Sequence, residues 1–205
     1  MNRTLARLLS VVFHPLLVPT YLFAFILYYL PVPVLTLPLS SRWMVLAMIF
    51  FTTVIIPGLG AYALVRTGHI DSMEMDRREQ RRLPLLFTGL CYGVTSYLFY
   101  REPVFDQLFY VVMGIIATSV FLTWVISLFW KVSAHSMAMG GSLGLLLFLN
   151  RLVPEAELLS PIIFDVLIAG AVLSARLSLD AHTPAQVYTG FGSGFLLAFT
   201  AALFL

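Results

Sequence analysis

Cysteine is almost absent. Cys91 stands alone among 205 residues, so the chain can close no disulfide within itself and build no metal site on thiolates. Charge is nearly as scarce: Lys, Arg, Asp and Glu make up 11% of the chain against 60% hydrophobic residues, a balance far from that of a water-soluble domain. A net charge of +2, with no basic stripe interleaved with aromatics, excludes a nucleic-acid groove, and no nucleic acid is expected as a partner. The four histidines, His14, His69, His135 and His182, lack the short spacings of a zinc site, so neither metal nor other cofactor is expected. Linkers, low-complexity segments and repeats of solenoid period are missing as well, which predicts one integral-membrane domain over residues 1–205.

Apolar length is what the chain does have. A helix needs about 20 apolar residues to cross the hydrocarbon layer. Seven runs meet or approach that length: Leu8 to Leu30, Trp43 to Val65, Leu85 to Tyr100, Leu108 to Trp130, Ser133 to Leu149, Pro161 to Leu177 and Pro184 to Leu205. The expected fold is therefore an all-α, polytopic transmembrane bundle of about six to seven spans. The first run imitates a signal peptide behind Arg3 and Arg7, but His14, Pro15 and Pro19 interrupt it and no small-residue cleavage site follows. It reads as a retained span, either crossing or dipping into the membrane.

Three polar segments break the apolar runs. The longest, Arg66 to Arg82, holds Arg77, Arg78, Arg81 and Arg82 ahead of Pro84; on a helix Arg77 and Arg81 would share one face, as would Arg78 and Arg82. The second is Lys131-Val132-Ser133-Ala134-His135-Ser136, where Ser133 suits a helix N-cap. The third is Arg176 to Gln186, in which Thr183, Pro184 and Gln186 read as a capping box with proline at the first helical position. Two spans separate each segment from the next, so all three are expected on one membrane face. Two helix starts with unpaired N–H groups, each beside a histidine and near arginines, suit an anion such as phosphate. Lys131 reads equally as a phosphate ligand or as a side chain snorkelling to the headgroups. The glycines Gly140, Gly141, Gly144, Gly190, Gly192 and Gly194 read as sites of close helix packing.

These residues resemble the type 2 phosphatidic acid phosphatase superfamily of membrane lipid phosphatases, over about the last two thirds of the chain. Its three signatures are Lys, six residues, Arg-Pro; Pro-Ser-Gly-His; and Ser-Arg, five residues, His, three residues, Asp. Arg176 and His182 keep the third spacing, with Ala175 for serine and Gln186 for aspartate. Ser133 and His135 keep the second, with Val132 for proline and Ala134 for glycine. The stretch from Asp76-Arg77 through Arg81, Arg82 and Pro84 keeps the basic character of the first, with Leu83 shifting the spacing by one residue.

The resemblance implies metal-independent hydrolysis of a lipid phosphate or pyrophosphate. His182 would be the nucleophile, His135 the acid for the leaving group, and Arg176, Arg77, Arg81, Arg82, Ser133 and Lys131 the phosphate ligands. Gln186 would orient His182 in place of a carboxylate, and Asp180 is the nearby carboxylate able to substitute. Partners are then a phosphorylated lipid substrate and membrane lipids. Phosphatidate, phosphatidylglycerol phosphate, polyprenyl pyrophosphate and a lipid A phosphate all stay open. So do two rival functions: a relative that binds or transports phosphorylated lipids without hydrolysis, and a vanadate-dependent oxidase, which the membrane embedding argues against. Nine of the twelve basic residues fall on the site's face, which taken literally turns it to the cytoplasm. The resemblance implies the opposite, a bacterial inner-membrane protein with its site toward the periplasm.

Overall fold

The computed structural model describes residues 1–31, 37–75 and 77–201. Asp76 of the first motif and the end of the last expected span, residues 202–205, lie outside them. Among the described residues the chain is all-helical, without strands: α1 (Arg3–Val12), α2 (Val18–Tyr29), α3 (Leu39–Arg66), α4 (Arg82–Arg101), α5 (Gln107–Ser127), α6 (Ala134–Leu152), α7 (Leu159–Ser178) and α8 (Pro184–Ala201). Among the described residues, four stretches are long and apolar enough to cross a membrane: α3, α4 with the short turn before it (Arg78–Arg101), α5 and α7. The chain is thus a helical protein built for association with a membrane.

The run expected as one span from Leu8 to Leu30 is two helices. Pro15 has no N–H and disfavours helical geometry at His14, so α1 ends at Val12, and α2 starts afresh with Pro19 in its first turn. Twelve residues make α2 only about 18 Å long, short of a hydrocarbon layer of about 30 Å. In α1, Ala6 and Ser10 are buried, while Leu5, Leu8, Val11 and Val12 are exposed.

Two compact units divide the chain: unit 1 comprises Met1–Val18 and Val132–Leu205, and unit 2 comprises Pro19–Lys131. Large side chains hold unit 2 together. Phe23, Phe99 and Phe109 are fully buried, and Phe23 lies 5.8 Å from Phe99 and 5.7 Å from Phe109, while Phe105 closes on Phe99 at 4.6 Å. Such ring pairs contribute about 1 kcal/mol each beyond their burial. Buried Arg42 donates to the carbonyls of Leu37 and Leu27, the latter in the last turn of α2, where carbonyls have no partner in their own helix.

One irregularity in unit 2 has a local cause. Helix α3 widens to a π turn over Phe51–Ile55, next to Pro57. Because Pro57 has no N–H, the Thr53 carbonyl loses its helical donor four residues on, and the Tyr92 hydroxyl donates to it instead at 3.1 Å. A fully buried phenol thereby finds its partner.

Unit 1 is held differently, by backbone meeting backbone. A Cβ added at Gly140 would sit on the Phe191 carbonyl, and one at Gly194 on the Met137 carbonyl. At Gly144 the added carbon would stand 2.8 Å from the Phe195 oxygen, and at Gly190 2.8 Å from the Ser133 oxygen. These four glycines let the backbones of α6 and α8 approach closely where the helices cross. Gly192 faces open space and takes no part in the crossing. The amide of Ser133 donates to the Gln186 carbonyl at 3.3 Å, so the same crossing brings the two helix starts side by side.

Candidate functional site

The site residues of unit 1 gather at one end, where α6 and α8 begin and α7 finishes. Ser133 caps α6: its hydroxyl oxygen accepts from the Ser136 amide at 3.3 Å and lies 2.9 Å from the Ser136 hydroxyl, with both serines fully buried. The cap leaves His135 two positions along, in the first helical turn. Its Nε2 lies 2.9 Å from the carbonyl oxygen of Ser10, an acceptor, so this nitrogen carries the ring proton. Arg176, His14 and His182 all stand within electrostatic reach of the His135 ring.

Helix α8 opens with the capping box that the sequence predicts. The Gln186 amide donates to the Thr183 hydroxyl oxygen at 3.4 Å, and the Thr183 amide donates to Gln186 Oε1 at 3.2 Å. That second bond settles which end of the Gln186 side chain faces inward, because a backbone N–H can only donate. The same Oε1 lies 3.2 Å from Nδ1 of His182 and must accept there too. In neutral His182 the proton is therefore on Nδ1, and the lone pair is on Nε2. His182 is 7% exposed, so packing adds to the fixed orientation. A glutamine thus gives the imidazole its tautomer without giving it a counter-charge.

Arg176 ends α7 and sends NH1 to the Ser10 hydroxyl oxygen at 3.1 Å. Asp180, in the left-handed region at φ 54°, is mostly solvent-exposed and pairs with Arg3 at 3.0 Å. Gln186 is the residue whose side chain meets His182 Nδ1. Asp165, eleven residues before Arg176 and so about 16 Å away along α7, accepts from Ser142 at 2.7 Å.

Sequence reasoning missed Ser10 altogether and gave His14 only the general place of an ionisable group in an apolar run, facing the bundle interior or a polar cavity that could be the substrate pocket. The His14 ring meets His135 edge-on, with centroids 5.5 Å apart and planes at 82°. A hydroxyl on the inward side of α1, four residues after Ala6, is the available signal for Ser10.

Arg77, Arg81, Arg82 and Lys131 belong to unit 2 and are described with it. Arg77 is extended, at φ −88° and ψ 139°, and only Arg78–Arg81 form a short 3-10 turn. The helical faces expected to pair Arg77 with Arg81 and Arg78 with Arg82 therefore do not form. The cause is the turn before them, where Met75 adopts a positive φ of 49° and Arg77 folds back onto Asp71 at 2.7 Å. Arg81 donates to the Met75 carbonyl at 3.0 Å, Arg82 is exposed, and Lys131 is half-buried. Among the described residues no three His, Cys, Asp or Glu side chains gather as metal ligands.

Comparison with protein families, with curated proteins and with solved structures finds no match to this chain.

Proposed function

We propose that this protein is a membrane lipid phosphatase working through a phosphohistidine on His182. The observation that carries the reading is the bond from His182 Nδ1 to Gln186, which puts the ring proton on Nδ1 and the lone pair on Nε2, at the end of unit 1 that also holds Arg176 and His135. In the first step a bond forms between Nε2 and phosphorus, and the bond from phosphorus to the lipid oxygen breaks. His135, entering the step as the doubly protonated imidazolium, passes its Nε2 proton to that departing oxygen and becomes the neutral ring, and the Arg176 guanidinium takes up the charge on the remaining oxygens. In the second step His135, now short of a proton, takes one from water as the water oxygen attacks phosphorus. The nitrogen–phosphorus bond breaks, and inorganic phosphate leaves. Ser133 serves by capping α6 and so fixing the His135 backbone.

The substrate is a lipid because the chain carries helices of membrane-crossing length, among them α7, whose last turn holds Arg176, so its tails stay in the bilayer while the headgroup meets the site. In this reading α2, α6 and α8 complete a bundle of six to seven spans in a bacterial inner membrane, with the site toward the periplasm. The missing carboxylate favours one rival, a protein that binds phosphorylated lipids without turnover.

The test is phosphate release from a panel of lipid phosphates and pyrophosphates in excess chelator, with wild type beside His182→Ala. Wild type is expected to release phosphate and His182→Ala to lose roughly four orders of magnitude or more. Full activity in His182→Ala rejects the nucleophile; headgroup binding with no release by wild type selects the rival.

A further inference from the structure

The two groups assigned to the phosphate, the His135 ring and the Arg176 guanidinium, are both engaged by one residue of α1. Helix α1 stops before Pro15, so the Ser10 carbonyl lies in its last turn, where helical partners run out. His135 Nε2 fills that vacancy at 2.9 Å. The Ser10 hydroxyl donates backward to the Ala6 carbonyl at 2.9 Å, which turns its oxygen lone pairs toward Arg176, and NH1 donates to them at 3.1 Å. One residue thus offers two oxygens: one on the group that protonates a leaving oxygen, the other on the group that holds a non-bridging oxygen. A phosphate ester would present the same two acceptors.

We propose that α1 is a gate over the site, with Ser10 occupying the positions of two substrate oxygens until a phosphate displaces it. The inference rests on the reading of Arg176 and His135 as phosphate-site residues. The build of α1 suits movement. Its covering contacts include the exposed Arg3–Asp180 pair, 70% and 80% accessible, and such surface pairs hold weakly. Its outer face, Leu5, Leu8, Val11 and Val12, suits a helix lying in the bilayer interface, so a lipid headgroup reaches the gate from the surface on which α1 rests.

A closed population lowers apparent affinity in proportion to the fraction that is open. Removing the Ser10 hydroxyl takes away a hydrogen bond to a charged group on the closed side alone, so Ser10→Ala should bind inorganic phosphate about tenfold more tightly. Binding is read by titration calorimetry in detergent, with thermal unfolding as the check on fold. A second arm places cysteines at Arg3 and Asp180 in a Cys91→Ser background and joins them with a short bismaleimide containing a disulfide. The joined protein should lose phosphate binding, and reductant should restore it.

Unchanged or weaker binding in Ser10→Ala, or equal binding before and after release of the crosslink, overturns the gate. Phosphate binding in no form removes the site and the gate together. If the released protein binds phosphate but hydrolyses no lipid phosphate, the gate stands and hydrolysis fails. If the joined protein turns over as fast as the released one, hydrolysis stands and the gate fails.

Discussion

Two helix starts in unit 1 each present a histidine, and they secure it in opposite ways. His182 precedes its helix and is fixed by Gln186, four residues on, through a local capping box. His135 lies just inside its helix and is fixed by Ser10, 125 residues away. The local device sets the tautomer through bonds within four residues of the ring, so it depends on no other helix staying in place. The distant device holds only while α1 stays in place. A nucleophile and a releasable acid are what a two-step phosphoryl transfer asks of these positions.

Removing His135 breaks the comparison most sharply. His135→Ala should lower phosphate release by about 10²- to 10⁴-fold, the range for losing a general acid. The loss should be smaller for a pyrophosphate, whose leaving oxygen needs less protonation than an alkoxide. Equal loss on both substrates would assign His135 to packing under α1 instead.

The second effect falls on folding, because the Gly140 and Gly194 crossing is what puts the two starts beside each other. Gly194→Ala drives a methyl onto the Met137 carbonyl, and backbone cannot swing aside as a side chain can, so a cost of about 3 kcal/mol is expected. Gly192→Ala meets nothing and should be neutral or stabilise by up to about 1 kcal/mol through helix propensity. Thermal unfolding of the two variants side by side checks this; similar midpoints would deny that the crossing is tight.

The same contrast explains what could be read from the residues alone. The capping box Thr183 to Gln186, the Ser133 cap and the glycine packing sites all appear in the sequence, because each rests on neighbours a few residues apart or on a residue type with one common use. Helix extents were legible for the same reason: Trp43 to Val65 lies within Leu39–Arg66, and Pro161 to Leu177 within Leu159–Ser178. The part played by Ser10 was not, since nothing near it in the chain names His135 or Arg176. The expected pairing of arginines near Arg77 went astray because a helical spacing was applied where Met75 and the Arg77–Asp71 pair make a turn.

The smallest effect sharpens the comparison at the local start. Gln186→Glu keeps the side-chain length and leaves an oxygen for both Thr183 N–H and His182 Nδ1–H, so the capping box survives. It adds a negative charge beside the imidazole and within the first turn of α8, where the helix dipole favours it. The charge stabilises the imidazolium character that develops as Nε2 bonds to phosphorus, so the first step should quicken by several-fold, about 1 kcal/mol. It also stabilises the phosphohistidine itself, so the intermediate should accumulate if its hydrolysis does not keep pace. Rapid-quench measurement of acid-labile, base-stable phosphate on the protein separates the two. Faster formation in Gln186→Glu, abolished by His182→Ala, is the expected result. No change in formation rate would mean that the wild-type glutamine supplies only the direction of the ring, and that charge at this position is immaterial to the chemistry.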